Sequence, residues 1–297
     1  MPLVGIKEIL VHARQRQYGV PSLLAGNLDM VTGMIKAAEE VRSPLILAFN
    51  RQMTPTIPAT LSLPMSVRAA QQAGVPVAVF LDHGHDLEEV VQAIHLGASA
   101  VMFDGSRLDY EENVRQTREV VRVAHAVGVD VEAELGAIGG SAAETGRIDE
   151  TVEDQDAHPE RYFTDPELAA EFVERTGVDV LAVSFGNVHG VYRGKPRLDL
   201  ERVRRIHARV LVPLAAHGAS GLAEEVYPQL IQSGISKVGY YTAMGMVVAR
   251  QLKYMLAEAD DSVLAYHQII AASVAAFYTE TKWLLQLLGC AGKADLA

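Results

Sequence analysis

The chain has 297 residues, 49% of them hydrophobic and 21% charged, which is typical of a folded globular protein and excludes a disordered one. Its 26 basic and 37 acidic residues give a net charge of −11 with no basic run, so we expect no nucleic-acid partner. A single cysteine, Cys290, excludes an internal disulfide, and with no signal-peptide pattern or membrane-length apolar run we expect a cytoplasmic protein without a membrane partner.

Short apolar runs alternate with amphipathic segments along the chain. The runs that predict strands are residues 22–26, 45–49, 77–81, 99–103, 129–135, 180–185, 211–216 and 235–241. The segments that predict the intervening helices are residues 5–18, 29–41, 65–73, 87–96, 110–127, 166–176, 199–208 and 223–233. We expect Asp29 to cap the second helix and Asp165 to cap the sixth.

Two regions depart from this alternation. Residues 136–163 are long, glycine-rich at their start and then acidic, which predicts a mobile active-site loop. Residues 244–257 and 263–288 predict two further helices at the C-terminus. Their apolar residues Ile269, Val274, Phe277, Leu284 and Leu285 suggest a surface that covers a partner subunit, because a barrel already has its ring of helices.

Eight strands alternating with helices predict an α/β fold, a single (β/α)8 TIM barrel spanning residues 1–297 with a C-terminal helical extension. A doubly wound open sheet is the alternative. The barrel is favoured because polar residues follow nearly every strand, whereas an open sheet concentrates its site at one switch point.

Three of these strands are followed by a histidine next to a glycine: His83, His189 and His217. Barrel closure would bring them around one mouth, and three imidazoles with an open fourth position are typical of a catalytic zinc site. The alternative is three unrelated histidines at strand ends.

Carboxylates also lie at strand ends. Asp82 precedes His83, and a turn at the strand end would let it face a substrate as a general acid or base while His83 faces the metal. Asp82 could instead cap the next helix, although Asp86 is better placed to do so. Asp104 and Glu134 are candidates for orienting the histidines or for a second metal position.

The segment from His217 to Gly221 leads directly into a helix. Backbone amides at such a turn can bind an anion, and the loops after strands seven and eight of TIM barrels commonly bind phosphate. A plain small-residue turn is the alternative.

Five motifs in this order resemble the class II, metal-dependent ketose-bisphosphate aldolases, which include fructose- and tagatose-bisphosphate aldolases. The resemblance extends from about residue 6 to residue 251. The motifs are Val-Ala-Val-Phe-Leu-Asp-His-Gly (77–84), Ser-Ala-Val-Met-Phe-Asp-Gly-Ser (99–106), Val-Glu-Ala-Glu-Leu-Gly-Ala-Ile-Gly-Gly (131–140), Gly-Asn-Val-His-Gly-Val-Tyr (186–192) and His-Gly-Ala-Ser-Gly (217–221).

The resemblance implies a residue-by-residue site. It implies zinc, or another divalent metal, on His83, His189 and His217, an outer metal position at Asp104 and Glu134, and Asp82 as the group that handles the C4 hydroxyl proton during C3–C4 cleavage. It also implies a phosphate site, often accompanied by Na⁺ or K⁺. The residues it assigns to substrate and phosphate are Asn27, Gly190, Lys195, Gly218, Ala219, Ser220, Gly239, Tyr240, Tyr241 and Thr242.

Several positions depart from the family pattern. Where the family reads Lys-Val-Asn-x-x-Thr followed by an acid, this chain has Gly239 in place of the asparagine and Ala243 in place of the acid. An acidic pair of the mobile loop is replaced by Ala142 and Ala143. Asn27 lies in an altered setting. The metal and acid/base residues are therefore kept, whereas substrate-facing polar groups have changed.

The resemblance implies a zinc-dependent lyase that cleaves a phosphorylated ketose to dihydroxyacetone phosphate and an aldehyde. The apolar C-terminal helices predict that it forms a homo-oligomer, a dimer or tetramer. An aldolase or epimerase for a different sugar or sugar acid is the first alternative, suggested by Tyr240 and Tyr241 beside the missing asparagine. A non-catalytic sugar-phosphate-binding relative is the second, suggested by the lost acidic pair.

Overall fold

The chain folds into a closed barrel of eight parallel strands arranged in chain order. The computed structural model describes residues 2–51, 56–139, 158–190, 192, 194, 196–259 and 264–296. Each strand pairs with the next, and β1 closes the barrel by pairing with β8. The predicted (β/α)8 barrel is therefore confirmed, and the open sheet is excluded.

The observed elements follow the predicted alternation. The strands are β1 Val20–Leu24, β2 Leu45–Asn50, β3 Val77–Gly84, β4 Ala100–Phe103, β5 Asp130–Leu135, β6 Val180–Val183, β7 Leu214–Ala216 and β8 Ile235–Tyr240. The helices are α1 Ile6–Arg16, α2 Leu28–Glu40, α3 Ala59–Gln72, α4 Leu87–His95, α5 Tyr110–His125, α6 Pro166–Thr176, α7 Leu200–Arg209, α8 Val226–Ser233, α9 Thr242–Glu258 and α10 Tyr266–Leu287. A short 3-10 turn, Pro159–Tyr162, precedes α6.

Side chains accept hydrogen bonds from backbone amides in the first turn of several helices, as the sequence suggests. Asp86 accepts from Glu89 N at the start of α4, and Asp165 caps α6. The cap of α2 is Asn27, whose Oδ1 accepts from Met30 N at 3.0 Å, so the expected cap at Asp29 is wrong. Asp29 lies in the first turn instead, where its charge still favours the helix N-terminus.

Strand β7 is three residues long, shorter than the predicted 211–216. Leu211 is 90% exposed and lies outside the barrel wall. Pro213 has no amide hydrogen to donate to a ladder, so regular pairing begins at Leu214.

The C-terminal helices cover the chain's own barrel. Phe277, Leu284 and Leu285 on α10 are buried, and α10 packs closely against α2. A Cβ built on Gly33 of α2 would lie 2.6 Å from the carbonyl oxygen of Val274, so this glycine permits the close approach. These residues therefore do not need a partner subunit to be covered.

Within the part of the chain that is described, no helix is both long and apolar enough to span a membrane.

Candidate metal centre

The three predicted histidines lie together at the C-terminal mouth of the barrel. One ring nitrogen from each of His83, His189 and His217 lies within 4.8 Å of one from each of the others. The ring centroids are 4.5 Å apart for His83 and His217 and 4.9 Å apart for His83 and His189. Closure of the barrel therefore brings together residues up to 134 positions apart in the sequence.

A bulge at the end of β3 turns both Asp82 and His83 toward the mouth. The pairing with β4 shifts between Leu81 and Gly84, and His83 has the left-handed φ of 54°. An extra residue in one strand re-aims side chains that would otherwise alternate. The turn expected from the sequence is present, and a non-glycine residue held in this conformation is typical of functional sites.

The loops after β6 and β7 are joined to each other by short polar contacts. A Cβ on Gly218 would lie 2.6 Å from the carbonyl oxygen of Val188, so only glycine fits this contact. The Tyr192 hydroxyl donates to Gly218 O at 2.6 Å, and Asn187 Nδ2 donates to His217 O at 2.8 Å. These contacts fix His189 and His217 relative to each other.

Each histidine has a second ring nitrogen held by a neighbouring oxygen. The contacts are His83 Nδ1 to Asp104 Oδ2 at 2.9 Å, His217 Nε2 to Glu132 Oε1 at 2.7 Å, and His189 Nδ1 to Gly139 O at 3.2 Å. Oxygen partners of this kind orient imidazole rings around metal ions and fix the tautomer. The donor set therefore fits a divalent metal.

Asp104 and Glu134 form a second group with His83. One ligand atom from each lies within 4.8 Å of the others. Glu134 Oε2 is buried and has no hydrogen-bond partner in the described part of the chain. Burial and the neighbouring charge of Asp104 raise the pKa of Glu134 well above its usual range. A cation here would satisfy both carboxylates, so an outer metal position also fits.

The charges around the three histidines are uneven. Burial alone would lower the pKa of His83, but the carboxylates of Asp82, Asp104 and Glu134 raise this pKa to about 10. Burial, Lys237 and His83 together lower the pKa of His217 well below its usual value. Positive charge is therefore favoured on the side of His83, where the carboxylates lie.

Asp82 lies beside the histidines without belonging to either candidate ligand group. Its Oδ1 is 3.7 Å from His217 Nδ1, and its side chain is 14% exposed. Burial would raise the pKa of Asp82, but the charges of His83, His217 and Lys237 outweigh it and lower the pKa. Because Asp86 caps α4, Asp82 is not needed for that task.

The predicted phosphate loop surrounds the same mouth. Gly190 and Gly218 both have left-handed backbones, with φ of 85° and 65°, and Ala219 and Ser220 follow in the loop after β7. Ser220 Oγ accepts from Ala243 N at 2.8 Å, close to Thr242 at the start of α9. Asn27 lies at the start of α2, where its side chain caps the helix. Outside the described residues lie Lys195, Ala142, Ala143 and most of the predicted mobile loop.

The three β8-end residues Gly239, Tyr240 and Tyr241 are placed differently. Gly239 lies next to His217: a Cβ built there would be 3.7 Å from His217 Nδ1. Tyr240 alternates to the outer face of the barrel, where its ring packs 6.2 Å from that of Trp283. Only the backbone of Tyr240 is therefore available to the mouth. Tyr241 is partly buried against the core.

Two site residues were not singled out by the sequence, Glu132 and Lys237. Lys237 Nζ donates to Glu132 Oε1 at 2.8 Å, and both side chains are fully buried inside the barrel. A glutamate and a lysine inside otherwise apolar runs are the available signal, since buried charges need partners.

The fold and this cluster define a TIM barrel with a histidine and carboxylate metal centre at its C-terminal mouth. The family model described as "Fructose-bisphosphate aldolase class-II" matches residues 4–293. The chain therefore belongs to the class II fructose-bisphosphate aldolase family, a metal-dependent family, and is an aldolase, a carbon–carbon lyase.

Individual relatives agree with this assignment. The chain is 43% identical over 234 residues to a fructose-bisphosphate aldolase of Thermus caldophilus, covering 78% of this chain and 73% of that one. It is 34% identical to a fructose-bisphosphate aldolase of Geobacillus stearothermophilus, covering 99% of each. The crystal structure of the YdjI aldolase from Escherichia coli K12 superposes with a TM-score of 0.85 at 33% identity, covering 99% of this chain and 100% of that one.

Proposed function

We propose that this protein is a zinc-dependent aldolase that cleaves a ketose phosphorylated at C1 to dihydroxyacetone phosphate and an aldehyde. The observation that carries the proposal is the meeting of three imidazole nitrogens within 4.8 Å of one another at a barrel mouth. Fructose and tagatose 1,6-bisphosphates are the first substrates to consider. The gathered site argues against the non-catalytic alternative, as does membership in an enzyme family.

His83, His189 and His217 would hold the metal, with Asp104 and Glu134 forming an outer position. A divalent cation so held supplies Lewis acidity, withdrawing charge from the ketone and hydroxyl oxygens of the substrate. The oxygen contacts on the second ring nitrogens keep the histidines oriented. Another divalent ion could replace zinc, since the donor set is nitrogen and carboxylate oxygen.

Asp82 would act as the general acid and base. Retro-aldol cleavage requires a proton to leave the C4 hydroxyl as the C3–C4 bond breaks, and a carboxylate with a lowered pKa is available to accept it. In the synthetic direction the same carboxyl would return the proton. The bulge in β3 points this side chain to the same mouth as the histidines.

The phosphate would lie against the loops after β6, β7 and β8. Gly190 and Gly218 to Ser220 offer backbone amides, with Thr242 at the N-terminus of α9, where the helix dipole favours an anion. The substrate-site assignments of Asn27, Lys195, Tyr240 and Tyr241 also remain proposals. A monovalent cation, Na⁺ or K⁺, would accompany the phosphate.

A second candidate function is cleavage or epimerisation of a different sugar or sugar acid. Gly239 favours it, because a Cβ there would meet neighbours only at 3.5 Å or more. The glycine therefore leaves space beside His217 that the family's asparagine would fill. The same metal and acid/base residues would serve such a substrate.

The two candidates are separated by a coupled assay for dihydroxyacetone phosphate release. Fructose and tagatose 1,6-bisphosphates are supplied to the protein as prepared, after chelation, and after zinc is restored. Cleavage lost on chelation and regained with zinc supports the first candidate. No cleavage by metal-loaded protein rejects it and directs the assay to other ketoses and to sugar acids.

The whole chain, residues 1–297, would act as one domain in a cytoplasmic homo-oligomer, a dimer or tetramer. Exposed apolar side chains support an oligomer: Met246 and Tyr254 on α9 are 49% and 65% exposed, and Tyr266 at the start of α10 is 74% exposed. Light scattering of the protein as it elutes from a size-exclusion column measures the subunit number. A monomer at assay concentration contradicts this part of the proposal.

A further inference from the structure

We propose that Glu132 and Lys237 are positioning residues for the metal site. They form a buried ion pair that fixes the ring of His217 and directs its Nδ1 toward the metal. The inference rests on the proposed metal-dependent function. It adds two residues that contact neither metal nor substrate.

The geometry places one carboxylate oxygen between two donors. Glu132 Oε1 lies 2.7 Å from His217 Nε2 and 2.8 Å from Lys237 Nζ. The side chains of Glu132 and Lys237 have no exposed surface, and that of His217 is 4% exposed. The residues come from β5, β7 and β8, so only barrel closure creates the cluster.

This arrangement selects one form of the imidazole. A carboxylate oxygen only accepts hydrogen bonds and an ammonium group only donates them, so the hydrogen at 2.7 Å from Glu132 must be on His217 Nε2. A neutral imidazole with Nε2–H has its lone pair on Nδ1. Nδ1 is the nitrogen 3.7 Å from Asp82 Oδ1, on the side of the mouth.

Lys237 has a separate task. A lone carboxylate inside the barrel would be an uncompensated buried charge, and Lys237 neutralises it. The Phe80 ring closes the other side of the ammonium, whose Nζ is 4.0 Å from the ring centroid. A buried lysine in a barrel could also be a Schiff-base nucleophile, but this Nζ is held by Glu132 and has no exposed surface.

The first test determines the tautomer of His217 in the wild-type protein. Long-range ¹⁵N–¹H correlation spectra of histidine-labelled, metal-free protein report the tautomer of each imidazole, and His217→Asn identifies the signal of His217. We expect the Nε2–H form. The Nδ1–H form overturns the proposal.

The second test measures Co²⁺ affinity by competition with a chelator, together with the visible absorption of the Co²⁺-loaded protein. We expect Glu132→Gln to weaken Co²⁺ binding by about 10- to 100-fold, because it leaves the charge of Lys237 uncompensated beside the ligand. Combining it with Lys237→Met restores neutrality while Gln still accepts from His217. The double variant should therefore bind Co²⁺ more tightly than Glu132→Gln alone.

The matched control is Thr176→Val, which removes the buried 2.6 Å hydrogen bond to Phe172 O at the C-terminal end of α6, away from the site. It should lower the Tm of the metal-free protein and leave Co²⁺ affinity unchanged. Wild-type affinity in Glu132→Gln, or a double variant no better than that single one, overturns the proposal. Wild-type protein that binds Co²⁺ but cleaves no ketose phosphate rejects the proposed function and leaves the positioning role standing.

Discussion

Asp82 is the residue on which the proposed chemistry depends most directly. We expect Asp82→Asn to lower kcat by about 10²- to 10⁴-fold, because the amide cannot accept the hydroxyl proton. Metal content should be unchanged, since Asp82 belongs to neither candidate ligand group. Steady-state kinetics and metal analysis check both statements.

The control for Asp82 is four residues away. Asp86 caps α4 by accepting from Glu89 N at 2.8 Å, and Asn caps helices equally well. Asp86→Asn should therefore preserve the cap of α4 and leave kcat within about twofold of wild type. Equal losses in the two variants would show that Asp82 acts through the local fold and not through a proton.

Gly239 is the residue at which this chain's specificity should differ from the family pattern. A Cβ at this position makes ordinary contacts of 3.5–3.7 Å with Ala216 and His217, so Gly239→Ala should fold normally and keep its metal. If substrate uses the space, kcat/KM for the preferred ketose should fall at least about 10-fold, the usual effect of one misplaced carbon. An unchanged kcat/KM would mean that the space is not part of the substrate site.

At the scale of elements, the β3 bulge directs the side chains of Asp82 and His83 toward the candidate metal site. A Cβ on Gly84 would lie 2.7 Å from the carbonyl oxygen of Met102 and 2.9 Å from Leu81 Cδ2. We expect Gly84→Ala to cost about 1–3 kcal/mol in the free energy of unfolding, as overpacking does, and to weaken metal binding at the adjacent His83. Urea unfolding and metal titration measure the two effects.

Gly74→Ala is the matched control for Gly84. Its Cβ would meet only Glu39 Oε1, at 3.6 Å, before the start of the same strand. It should leave the free energy of unfolding within about 0.5 kcal/mol of wild type, as surface changes usually do. A Gly84→Ala variant as stable as this control would mean that the bulge adapts without cost.

The sequence predicts much of this architecture because strands buried on both faces read as apolar runs that end in polar residues. His83, His189 and His217 could be grouped in this way before the structure was known. The pairing of Glu132 with Lys237 could not, because it depends on which residues face across a closed barrel, 105 positions apart. The outward side of Tyr240 follows from alternation in β8 once Lys237 is known to point inward.

At the scale of the whole molecule, Asp179 joins three elements at the N-terminal end of the barrel, opposite the site. Its Oδ1 accepts from Lys7 Nζ of α1 at 2.9 Å, and its Oδ2 contacts His125 Nε2 of α5 and Val131 N of β5, each at 2.8 Å. The carboxylate is only 3% exposed. This end of a TIM barrel contributes stability and not catalysis, so changes here should leave activity intact.

The pKa of Asp179 determines how its contribution depends on pH. Burial would raise this pKa, but the Val131 amide, His125 and Lys7 outweigh burial and lower it. A carboxyl whose folded pKa is lowered contributes full stability above its unfolded pKa of about 4, and loses that contribution as pH falls through the folded pKa.

We expect Asp179→Asn to cost about 2 kcal/mol at pH 7, the usual effect of losing a charged hydrogen-bond partner, and less at each step below about pH 4. Urea unfolding from pH 7 to pH 3 measures the difference, with Asp295→Asn as control, because Asp295 pairs with Arg42 at the surface and is 83% exposed. That control should change stability by under about 1 kcal/mol at every pH. A difference between wild type and Asp179→Asn that stays constant down to pH 3 would show that the charge of Asp179 does not stabilise the barrel.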